Sequence, residues 1–454
     1  MVEGSEQGSL RYIGYVSFYV AIRRRLNINM PAAKSSQPFR IAIVGGGLGG
    51  LITALCINHH VKTAPIEINV YEQAAQYKEI GAGIGLGPNA NVLFHKIGIG
   101  DQINKIAGTR SGIWITFRRY DNGKEVFTIR PDTETEQNRN TPCARTELLD
   151  LLIRNIRERS AATLHTNKCC IGVEDQGDTA LVKFKDGSTT EANLVVACDG
   201  IHSNIRALFA TDQPVYSGII AYRGVIPISS LPAWPFPSWS VLWMGKGAHF
   251  LVFSVSSDTA LNIVAFVTKG EEEVHDLKES WTSTCPRSEM EKDFAAFDET
   301  VQHIIRQMPD PASKWKINYR EPLDQWVHLN GKVVLVGDSA HSMTPHQGAG
   351  GGQAVEDAYI LSRCLAEYLG SDRDGPFSDW MQLYQTVRLP RAQKVARTSK
   401  VAGETYEQTT PDLKDLPYDE GLPIVKERVE ERMRWIWVED LDDAFERVKT
   451  EVGL

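Results

Sequence analysis

Short, continuously apolar runs alternate with amphipathic stretches along this chain, and the pattern predicts strands followed by helices. Residues 41–44 and 192–198 are apolar on both faces, which is typical of buried strands in a parallel sheet. Residues 66–71 form another predicted strand. Residues 51–57, which lie between the strands predicted at 41–44 and 66–71, have an apolar helical pattern. A further run, 332–336, has the same buried character. Strands and helices in this order predict an α/β fold with a parallel sheet.

Two other regions show the strict apolar–polar alternation of half-buried strands. Residues 164–198 predict a β-meander that returns to the first sheet. Within 213–330, alternating runs predict a mostly antiparallel sheet at 217–226, 240–243, 249–254 and 261–268. Six tryptophans fall in the same region: Trp234, Trp239, Trp243, Trp281, Trp315 and Trp326. An aromatic face of this kind is either packed core or the wall of a pocket for a flat organic molecule, and we expect most of these tryptophans in the core.

The C-terminal part of the chain is predicted to be helical. Residues 356–400 have the pattern of two long helices, the second of which carries Arg388 and Arg391. Residues 425–448 predict an amphipathic, charged helix. The predicted domains are a leader at 1–38, a first domain formed by 39–212 and 331–400, an inserted sheet domain at 213–330, and a helical tail at 401–454.

The leader has three possible interpretations. Its apolar stretch, 12–22, is short and ends at three arginines, without the small-residue cleavage site of a signal peptide. Residues 1–38 are either a disordered leader, a weak membrane-surface anchor, or an upstream extension of a coding sequence that starts at Met30. We favour the first and the last.

A glycine-rich loop connects the first strand to the first helix. Gly45, Gly47 and Gly50 have the G-x-G-x-x-G spacing, and Glu72 closes the second strand. In a dinucleotide site this spacing gives a tight turn, room for a pyrophosphate, and close packing of helix on strand. The carboxylate at the end of the second strand can accept both ribose hydroxyls. Strand, loop, helix and acid together predict a dinucleotide site.

Two more buried strands end in an acid. Asp199 follows the 192–198 run, and Asp338 follows the 332–336 run. Because the carboxyl ends of parallel strands meet at one edge of a sheet, ligands collect there. After Asp338 a proline and a cluster of glycines lead into a helix, so bare backbone amides at 348–352 can face an anion.

Two further features point toward a bound ligand. Residues 79–90 are rich in glycine, which suits backbone lying against a flat ligand, although a flexible loop is the alternative. Arg145 lies in the first turn of a predicted helix, where it is either a solvated surface arginine or a phosphate or cofactor contact.

Composition and charge exclude several classes of function. The net charge is −8 and the pI about 5.8, so no broad basic surface attracts nucleic acid or an anionic membrane. The seven cysteines are odd in number and form no C-x-x-C pair, which favours reduced thiols, a cytoplasmic location and no structural metal. No run reaches the ~20 apolar residues of a membrane-spanning helix, so no stable membrane insertion is expected.

Three of these motifs together resemble the single-component flavoprotein aromatic hydroxylases. They are the glycine loop, Asp199-Gly200 with Ser203 and Arg206, and Gly337-Asp338. The segment that begins Pro345-His346-Gln347-Gly348 and continues to 358 is similar to the salicylate hydroxylase branch, including fungal members. The resemblance covers about residues 39–445. It implies a Rossmann-type FAD-binding domain with an inserted, mostly antiparallel substrate domain and a C-terminal helical region.

The resemblance also implies a set of cofactor contacts. FAD would be the resident cofactor, with NADH or NADPH and O₂ as transient partners of a monomer or homodimer. The implied cofactor-binding residues are Gly45, Gly47, Gly50, Glu72, Gly83, Gly85, Arg145, Asp199, Arg206, Asp338, Gly350 and Gly351.

The implied chemistry is hydroxylation of a phenolic substrate through a flavin C4a-hydroperoxide in a dry pocket. His346 matches the position that would help deprotonate the phenol, and its alternative is an ordinary loop histidine. Arg223 matches a position that approaches the substrate and could hold a carboxylate or phenolate bidentately. Tyr222 is a third candidate, for which a core role is an equal alternative.

Three functions therefore compete. The first is an NAD(P)H-dependent FAD monooxygenase that acts on a salicylate-like phenol, with decarboxylation to a catechol where the attacked carbon carries the carboxylate. The second is a dearomatising hydroxylase or epoxidase of secondary metabolism. The third is a nucleotide-binding protein without turnover.

Overall fold

A six-stranded, mostly parallel sheet lies at the centre of the first domain. The computed structural model describes residues 37–77, 82–277, 283–370 and 375–454, and only the backbone of 431–433. Parts of three sequence-based expectations lie outside these residues: the leader up to residue 36, residues 79–81 of the glycine-rich segment, and Trp281. In spatial order the strands are β18 (Val327–His328), β19 (Val333–Leu335), β11 (Leu194–Ala197), β1 (Phe39–Val44), β2 (Ile66–Tyr71) and β7 (Thr163–His165).

Strand β1 is the centre of this sheet because its neighbours on both sides are apolar. Ile41 lies opposite Leu194 on one side and Ile68 on the other, and all three side chains are buried. Helix α1 (Leu48–His60) follows directly and packs together with α8 (Gly350–Gly370). The α/β class predicted from the sequence is confirmed, with strand and helix each a few residues longer than predicted.

The predicted meander is divided between two sheets. Strands β8 (Cys170–Asp175), β9 (Ala180–Phe184) and β10 (Thr189–Ala192) form a separate antiparallel sheet. The run predicted as one strand ending at Cys198 is interrupted at Asn193, after which β11 joins the parallel sheet. The Asn193 amide donates to the Arg40 carbonyl at 2.8 Å, and the Asn193 side-chain oxygen accepts the Arg40 amide at 2.9 Å. The chain therefore leaves the antiparallel sheet and enters the parallel sheet at Asn193.

The second domain is an eight-stranded sheet. Only one of its described pairings is parallel, that between the strands Val241–Gly245 (β13) and Ile115–Arg119 (β4). In spatial order its strands are β16 (Thr284–Cys285), β17 (Ala312–Tyr319), β12 (Val215–Pro227), β15 (Ala260–Thr268), β14 (Ala248–Val255), β13 (Val241–Gly245), β4 (Ile115–Arg119) and β5 (Glu125–Ile129). The last two strands come from the range that the sequence pattern assigned to the first domain. Because a strand pairing between distant parts of a chain leaves no local signal, the domain boundary predicted from the sequence differs from the one in the structure.

One face of this sheet is covered by helices. The helices α5 (Arg287–Asp293) and α6 (Glu299–Gln307) pack against it. Trp243 and Phe250 are fully buried in the resulting core. The opposite face is turned toward the first domain and bounds a cavity.

The C-terminal region joins the two domains and is not a simple tail. It consists of α9 (Phe377–Tyr406), α10 (Tyr418–Val438) and α11 (Leu441–Val452). Tyr406 and Val429 pack against Phe117 of the second sheet, whereas Phe445 returns to the core of the first domain. The helix predicted across 425–448 is broken at Asp440, whose carboxylate accepts the amides that begin α11.

The remaining described elements connect these layers. They are a two-stranded pair, β3 (Gly83–Ile84) with β6 (Cys143–Ala144), and the helices α2 (Pro88–Lys96), α3 (Gly100–Ile106), α4 (Arg145–Glu158) and α7 (Asp338–His341).

A buried group of charges connects α8 to α9. The Arg388 guanidinium donates to Asp357 Oδ1 at 2.9 Å, Glu356 Oε2 at 2.6 Å and Gln353 Oε1 at 2.7 Å. Arg391 donates to both oxygens of Glu356, at 2.7 and 2.9 Å. Burial alone would raise the pKa of both carboxyl groups, but their partners outweigh it, and each pKa lies below its ordinary value. The partners are Arg388 and Arg391 for Glu356, and His341 followed by Arg388 for Asp357. Both acids are therefore ionised and paired.

Replacing Arg388 by Met is expected to destabilise the protein by about 3–5 kcal/mol, because two carboxylates then remain buried with one cation fewer. Urea unfolding of the two proteins measures the difference. Arg428→Met is the control, since Arg428 pairs with Asp412 at the surface and should cost no more than about 1 kcal/mol. Equal effects of the two substitutions would contradict the assignment.

Candidate active site

The glycine loop is shaped by close packing at two positions and by open space at a third. Gly45 has φ +105°, and a Cβ there would collide with the Cys198 carbonyl. A Cβ on Gly50 would collide with the Gly45 carbonyl. Around Gly47, by contrast, no atom lies within 4 Å of the Cβ position. The open space at the N-terminus of α1 can accept a phosphate group against free backbone amides.

Glu72 is held by the loop that it faces. Its Oε2 accepts the Gly46 amide at 2.8 Å, and its Oε1 accepts the Ala74 amide at 2.8 Å. The carboxylate lines a cavity of about 610 Å³ together with Gly45, Gly47 and Asp199. Each carboxylate oxygen keeps a second lone pair, so Glu72 can still accept hydroxyl groups from a ligand.

Asp199 organises the turn after β11. Its Oδ1 accepts the Ser203 hydroxyl at 2.6 Å and its Oδ2 accepts the Ile205 amide at 3.2 Å. Burial raises the pKa of Asp199, against the lowering effect of these hydrogen bonds. The acid thus lines the smaller cavity and at the same time fixes the loop.

Arg206 does not line either cavity, in contrast to the sequence-based expectation of a cofactor contact. It is fully buried, and its guanidinium pairs with Asp212 at 2.7 Å. It also donates to the carbonyls of Ser339 and Ala340, at 3.1 and 3.2 Å. Since these carbonyls follow Asp338 directly, Arg206 acts on the site by holding the turn that carries Asp338.

A second, larger cavity of about 940 Å³ lies between the two domains. Its lining includes Asp338, Gly350 and Gly351, so the turn after β19 and the N-terminus of α8 both face it. Gly337, with φ +66°, donates its amide to Asp357 at 2.9 Å, which ties this turn to the buried charges of α8. The first amides of a 21-residue helix are thereby directed at the cavity.

The glycines of the segment before α2 serve different purposes. A Cβ on Gly83 would lie 2.7–2.8 Å from Asn262 and Phe253, and the Gly83 amide donates to Asn262 Oδ1 at 2.6 Å. Packing against the second sheet therefore accounts for Gly83. At Gly85 the nearest atom to a Cβ is the Gly348 carbonyl oxygen, at 4.0 Å, so this position is open to the cavity.

The two cavities are parts of one cleft. Arg145, His202, Arg223 and Trp315 line both of them. This continuity brings the ends of the three acid-terminated strands to one site, as the sequence pattern predicted. For Arg145 the ligand-contact interpretation fits this position better than that of a solvated surface arginine.

Arg223 and Tyr222 point to opposite faces of β12, because successive residues of a strand alternate. The Arg223 guanidinium lies over the Trp315 ring, 4.7 Å from its centre, and donates to the Gly83 carbonyl at 3.4 Å. Tyr222 is fully buried beneath α5, and its hydroxyl donates to Asp293 at 2.8 Å. Burial, first, and this hydrogen bond raise the pKa of Tyr222. Tyr222 is thus a core residue, and Arg223 alone of the two reaches the cleft.

His346 lines the larger cavity and is 8% exposed. Its ring packs edge-on against Phe266 and His249, at 4.9 and 5.2 Å between ring centres. Among the described residues, neither ring nitrogen has a hydrogen-bond partner. Burial, first, and the neighbouring His249 lower the pKa of His346 well below its ordinary value. A neutral imidazole with one acceptor and one donor nitrogen is therefore available to a ligand.

Helix α9 fixes the loop that carries His346. The Ser399 hydroxyl donates to the Thr344 carbonyl at 2.6 Å and accepts the Gln347 amide at 3.3 Å. A Cβ on Gly403 would lie 2.5 Å from the imidazole, so a glycine is required where the helix passes the ring. The Cδ2–Nε2 edge of the ring is thus confined by α9, while the residue lines the larger cavity.

A group of aromatic and aliphatic side chains forms part of the wall of the larger cavity. Its wall includes Trp114, Phe117, Leu251, Phe253, Val264, Phe266, Trp315 and Trp437. Trp315 is one of the six tryptophans most of which are expected in the core, and it is buried as well as lining the cavity. Trp437 belongs to the predicted tail. His202 is a further lining residue that the sequence did not single out, although it lies within the Asp199-Gly200 motif. For Trp315 no local signal exists, because its side of the sheet depends on the β12–β17 register, which pairs it with Ala221.

The described residues include neither a metal site nor a membrane-spanning helix. No three His, Cys, Asp or Glu side chains come together where they could hold a metal ion. Within the same ranges, every helix is too short or too polar to cross a membrane.

Comparison with known proteins identifies the family. Residues 39–399 match the family described as FAD binding domain. Salicylate hydroxylase from Pseudomonas putida is 30% identical over 442 residues, which cover 91% of this chain and 95% of that protein. The 6-methylsalicylate 1-monooxygenase of Aspergillus terreus is 30% identical over 425 residues, covering 90% and 91% of the two chains.

Similarity to solved structures agrees with the sequence comparison. A structure of a salicylate hydroxylase substrate complex matches with a TM-score of 0.74 at 28% identity, covering 91% of this chain and 98% of that one. Hydroxylases of this group use NAD(P)H as co-substrate. The glycine loop, the converging strand ends and these matches lead to one conclusion: the chain belongs to the FAD-binding family of flavin-dependent monooxygenases, and FAD is its cofactor.

Proposed function

We propose that this monooxygenase uses NAD(P)H and O₂ to hydroxylate a phenolic aromatic acid related to salicylate. The observation that carries the proposal is that Arg223 and His346 line one cavity whose wall also includes a large group of aromatic and aliphatic side chains. The similarity to salicylate and 6-methylsalicylate monooxygenases supports the same substrate class. Where the attacked carbon carries the carboxylate, hydroxylation releases CO₂ and gives a catechol.

FAD, when bound, supplies the activation of O₂ and the transfer of one oxygen atom to the aromatic ring. We assign its pyrophosphate to the open space at Gly47, its adenosine ribose to Glu72, and its ribityl chain to Asp338. Gly350 and Gly351, at the N-terminus of α8, would face the pyrimidine end of the isoalloxazine ring. Negative charge at that edge is stabilised by a helix N-terminus.

Arg223 is the proposed anchor of the substrate carboxylate. A guanidinium presents paired N–H donors that match a carboxylate bidentately. Stacking over Trp315 orients the plane of the guanidinium group. The position of Arg223 at the junction of the two cavities puts this anchor beside the proposed flavin site.

His346 is the proposed acceptor of the phenol proton. Its neutral state follows from burial, and neither ring nitrogen has a hydrogen-bond partner among the described residues. As the phenol O–H bond breaks, the proton passes to an imidazole nitrogen, and the electron pair stays on the phenolate oxygen. The phenolate is more electron-rich and therefore more reactive toward an electrophilic oxygen. The apolar wall excludes water from this step.

To test the proposal, the protein is purified and its absorption spectrum is recorded to show bound flavin. Hydroxybenzoates are then screened for their ability to stimulate the oxidation of NADH or NADPH. Product analysis separates the candidates. A catechol with CO₂ release supports the proposal, whereas a dearomatised product from substrates without a carboxylate supports the alternative oxygenase. If no phenol stimulates the oxidation of NADH or NADPH, the protein is a flavoprotein that lacks the proposed activity.

A matched pair of glycine substitutions tests the cofactor assignment. Gly47→Val should leave the unfolding temperature of the apoprotein within a few degrees of the unmodified value, because the side chain meets no protein atom. It should nevertheless reduce FAD affinity by at least tenfold, because the valine occupies the proposed pyrophosphate site. Gly50→Ala should lower the unfolding temperature of the apoprotein itself. Normal flavin retention in Gly47→Val would contradict the assignment.

Replacing Arg223 by Gln is expected to raise KM for hydroxybenzoates roughly 10- to 100-fold, from the loss of a charged hydrogen bond of about 1.5–3 kcal/mol. The corresponding phenols without a carboxylate should show a much smaller change. Lys314→Gln is the control, because Lys314 pairs with Glu289 on the opposite face of the sheet. If KM rises equally for both substrate groups, Arg223 does not bind the carboxylate.

Replacing His346 by Ala or Gln should slow product formation by roughly 10²- to 10⁴-fold, the usual contribution of a general base. The flavin spectrum and stoichiometry should stay unchanged, because the ring packs against the sheet and α9. Single-turnover hydroxylation by the reduced enzyme measures this effect. Loss of FAD in both variants would instead assign His346 a structural role.

A further inference from the structure

One wall of the larger cavity follows a continuous row of side chains across the second sheet. Strand register places Arg223 opposite Val264, and Val264 opposite Leu251. Leu251 in turn lies opposite Leu242, and Leu242 lies opposite Phe117. All five residues line the cavity. Because neighbouring strands are about 4.8 Å apart, the row extends for about 19 Å from β12 to β4.

The proposed reaction site takes up only the first half of this row. Arg223 lies on β12, and the ring of His346 packs against Phe266 of β15 and His249 of β14. A phenolic acid with one ring is roughly 7 Å long, by ordinary bond lengths. With its carboxylate at Arg223 and its hydroxyl at His346, such a molecule does not reach past β14. The cavity continues for another two strands, to β4.

Partly exposed apolar side chains line this continuation. We define the distal section of the cavity as the part bounded by Leu251, Phe253, Trp114, Ile115 and Trp437. Each of these side chains is only partly buried. The rings of Trp114 and Trp437 meet edge-on, 4.3 Å apart between centres, so the end of α10 closes this section beside the start of β4. An apolar group that covers these side chains would be bound favourably, because it removes their surface and its own from water.

Charged residues mark the end of the apolar lining. Arg110, Glu134 and Arg139 also line the cavity. Arg110 pairs with Glu136 at 2.9 Å, and its side chain is 38% exposed. Arg139 is nearly buried and has the same acid 3.9 Å away. Charges of both signs here favour neither an anion nor a cation, and they limit how far an apolar group can extend.

The assigned FAD contacts leave the distal section open. Asp338, Gly350 and Gly351 belong to the first domain, on the side of the cavity that faces the second sheet. A flavin held at these residues lies along the first-domain side. The row on the second sheet is then available to the substrate.

We propose that the substrate is a phenolic acid with an apolar substituent of about six to eight carbons, which the distal section binds; an extended chain of this length spans the ~10 Å from β14 to β4. This inference rests on the proposed function, because it narrows the substrate class of the same site. Since the carboxylate is held at Arg223, at the other end of the row, the substituent lies on the side of the ring away from the carboxylate.

The first test measures binding and needs no turnover. Salicylates with alkyl chains of increasing length at ring position 4 or 5 are titrated into the oxidised, FAD-containing protein, and the change in the flavin spectrum gives Kd. Each methylene group buried in the distal section should lower Kd about three- to fourfold, so the hexyl compound should bind about 100-fold or more tightly than salicylate. The gain should stop at about eight carbons, where the chain reaches the charged residues. A Kd that does not change with chain length overturns the proposal.

The second test locates the chain. In Ile115→Trp the larger side chain fills the distal section, so the ratio of the Kd of salicylate to that of its hexyl derivative should fall about tenfold or more. Ile171→Trp is the matched control, because Ile171 is 55% exposed on β8 of the separate antiparallel sheet, and the ratio should not change there. If Ile115→Trp does not fold, Trp437→Ala removes one wall of the section and should lower the same ratio about tenfold. An unchanged ratio in the folded variant means that the chain binds elsewhere, and the proposal is then wrong.

The two hypotheses fail in different ways. If neither salicylate nor any alkylsalicylate is hydroxylated, the proposed function fails, whereas the titrations still test the distal section. If these compounds are hydroxylated but neither Kd nor kcat/KM depends on chain length, the distal section does not bind a substituent and the proposed function stands.

Discussion

The pairing of two buried acids with two buried arginines is the constraint on which the geometry of the cleft depends. Glu356 and Asp357 lie in the first turns of α8, and Arg388 and Arg391 reach them from α9. Desolvating four charges is costly, and it is offset here because nearly every donor and acceptor finds a partner. Asp357 also accepts the Gly337 amide. The same cluster therefore fixes both the helix N-terminus and the turn that carries Asp338.

This cluster extends to the C-terminal region. Arg391 also donates to Glu439 and to the Ile436 carbonyl, both at 2.6–2.7 Å, at the end of α10. Trp437, the next residue after Ile436, lines the larger cavity. A cavity wall contributed by a late part of the chain is thus held by the charges that orient the cofactor-facing helix. Loss of one arginine would disturb stability and the shape of the cleft together.

The two faces of the second sheet have different roles, since one packs into a core and the other lines the cleft. On β12, Tyr222 faces the helices and completes a core, whereas Arg223 faces the cleft. On β14, Phe250 packs into that core, and His249 supports the ring of His346 from the other side. The alternation of a single strand thus assigns neighbouring residues to different tasks, and a register shift of one residue would exchange them.

The sequence by itself determined the α/β class and the strand ends from which the cleft is built. It did so because G-x-G-x-x-G spacing, buried apolar runs and acids at strand ends are local patterns with few structural solutions. Tertiary structure alone decided that Tyr222 and Arg206 lie outside the cleft, that 115–129 join the second sheet, and that His249 and Glu407 meet behind His346. These outcomes depend on strand register and, in most cases, on contacts between residues distant in the chain, and such contacts leave no periodicity in the sequence.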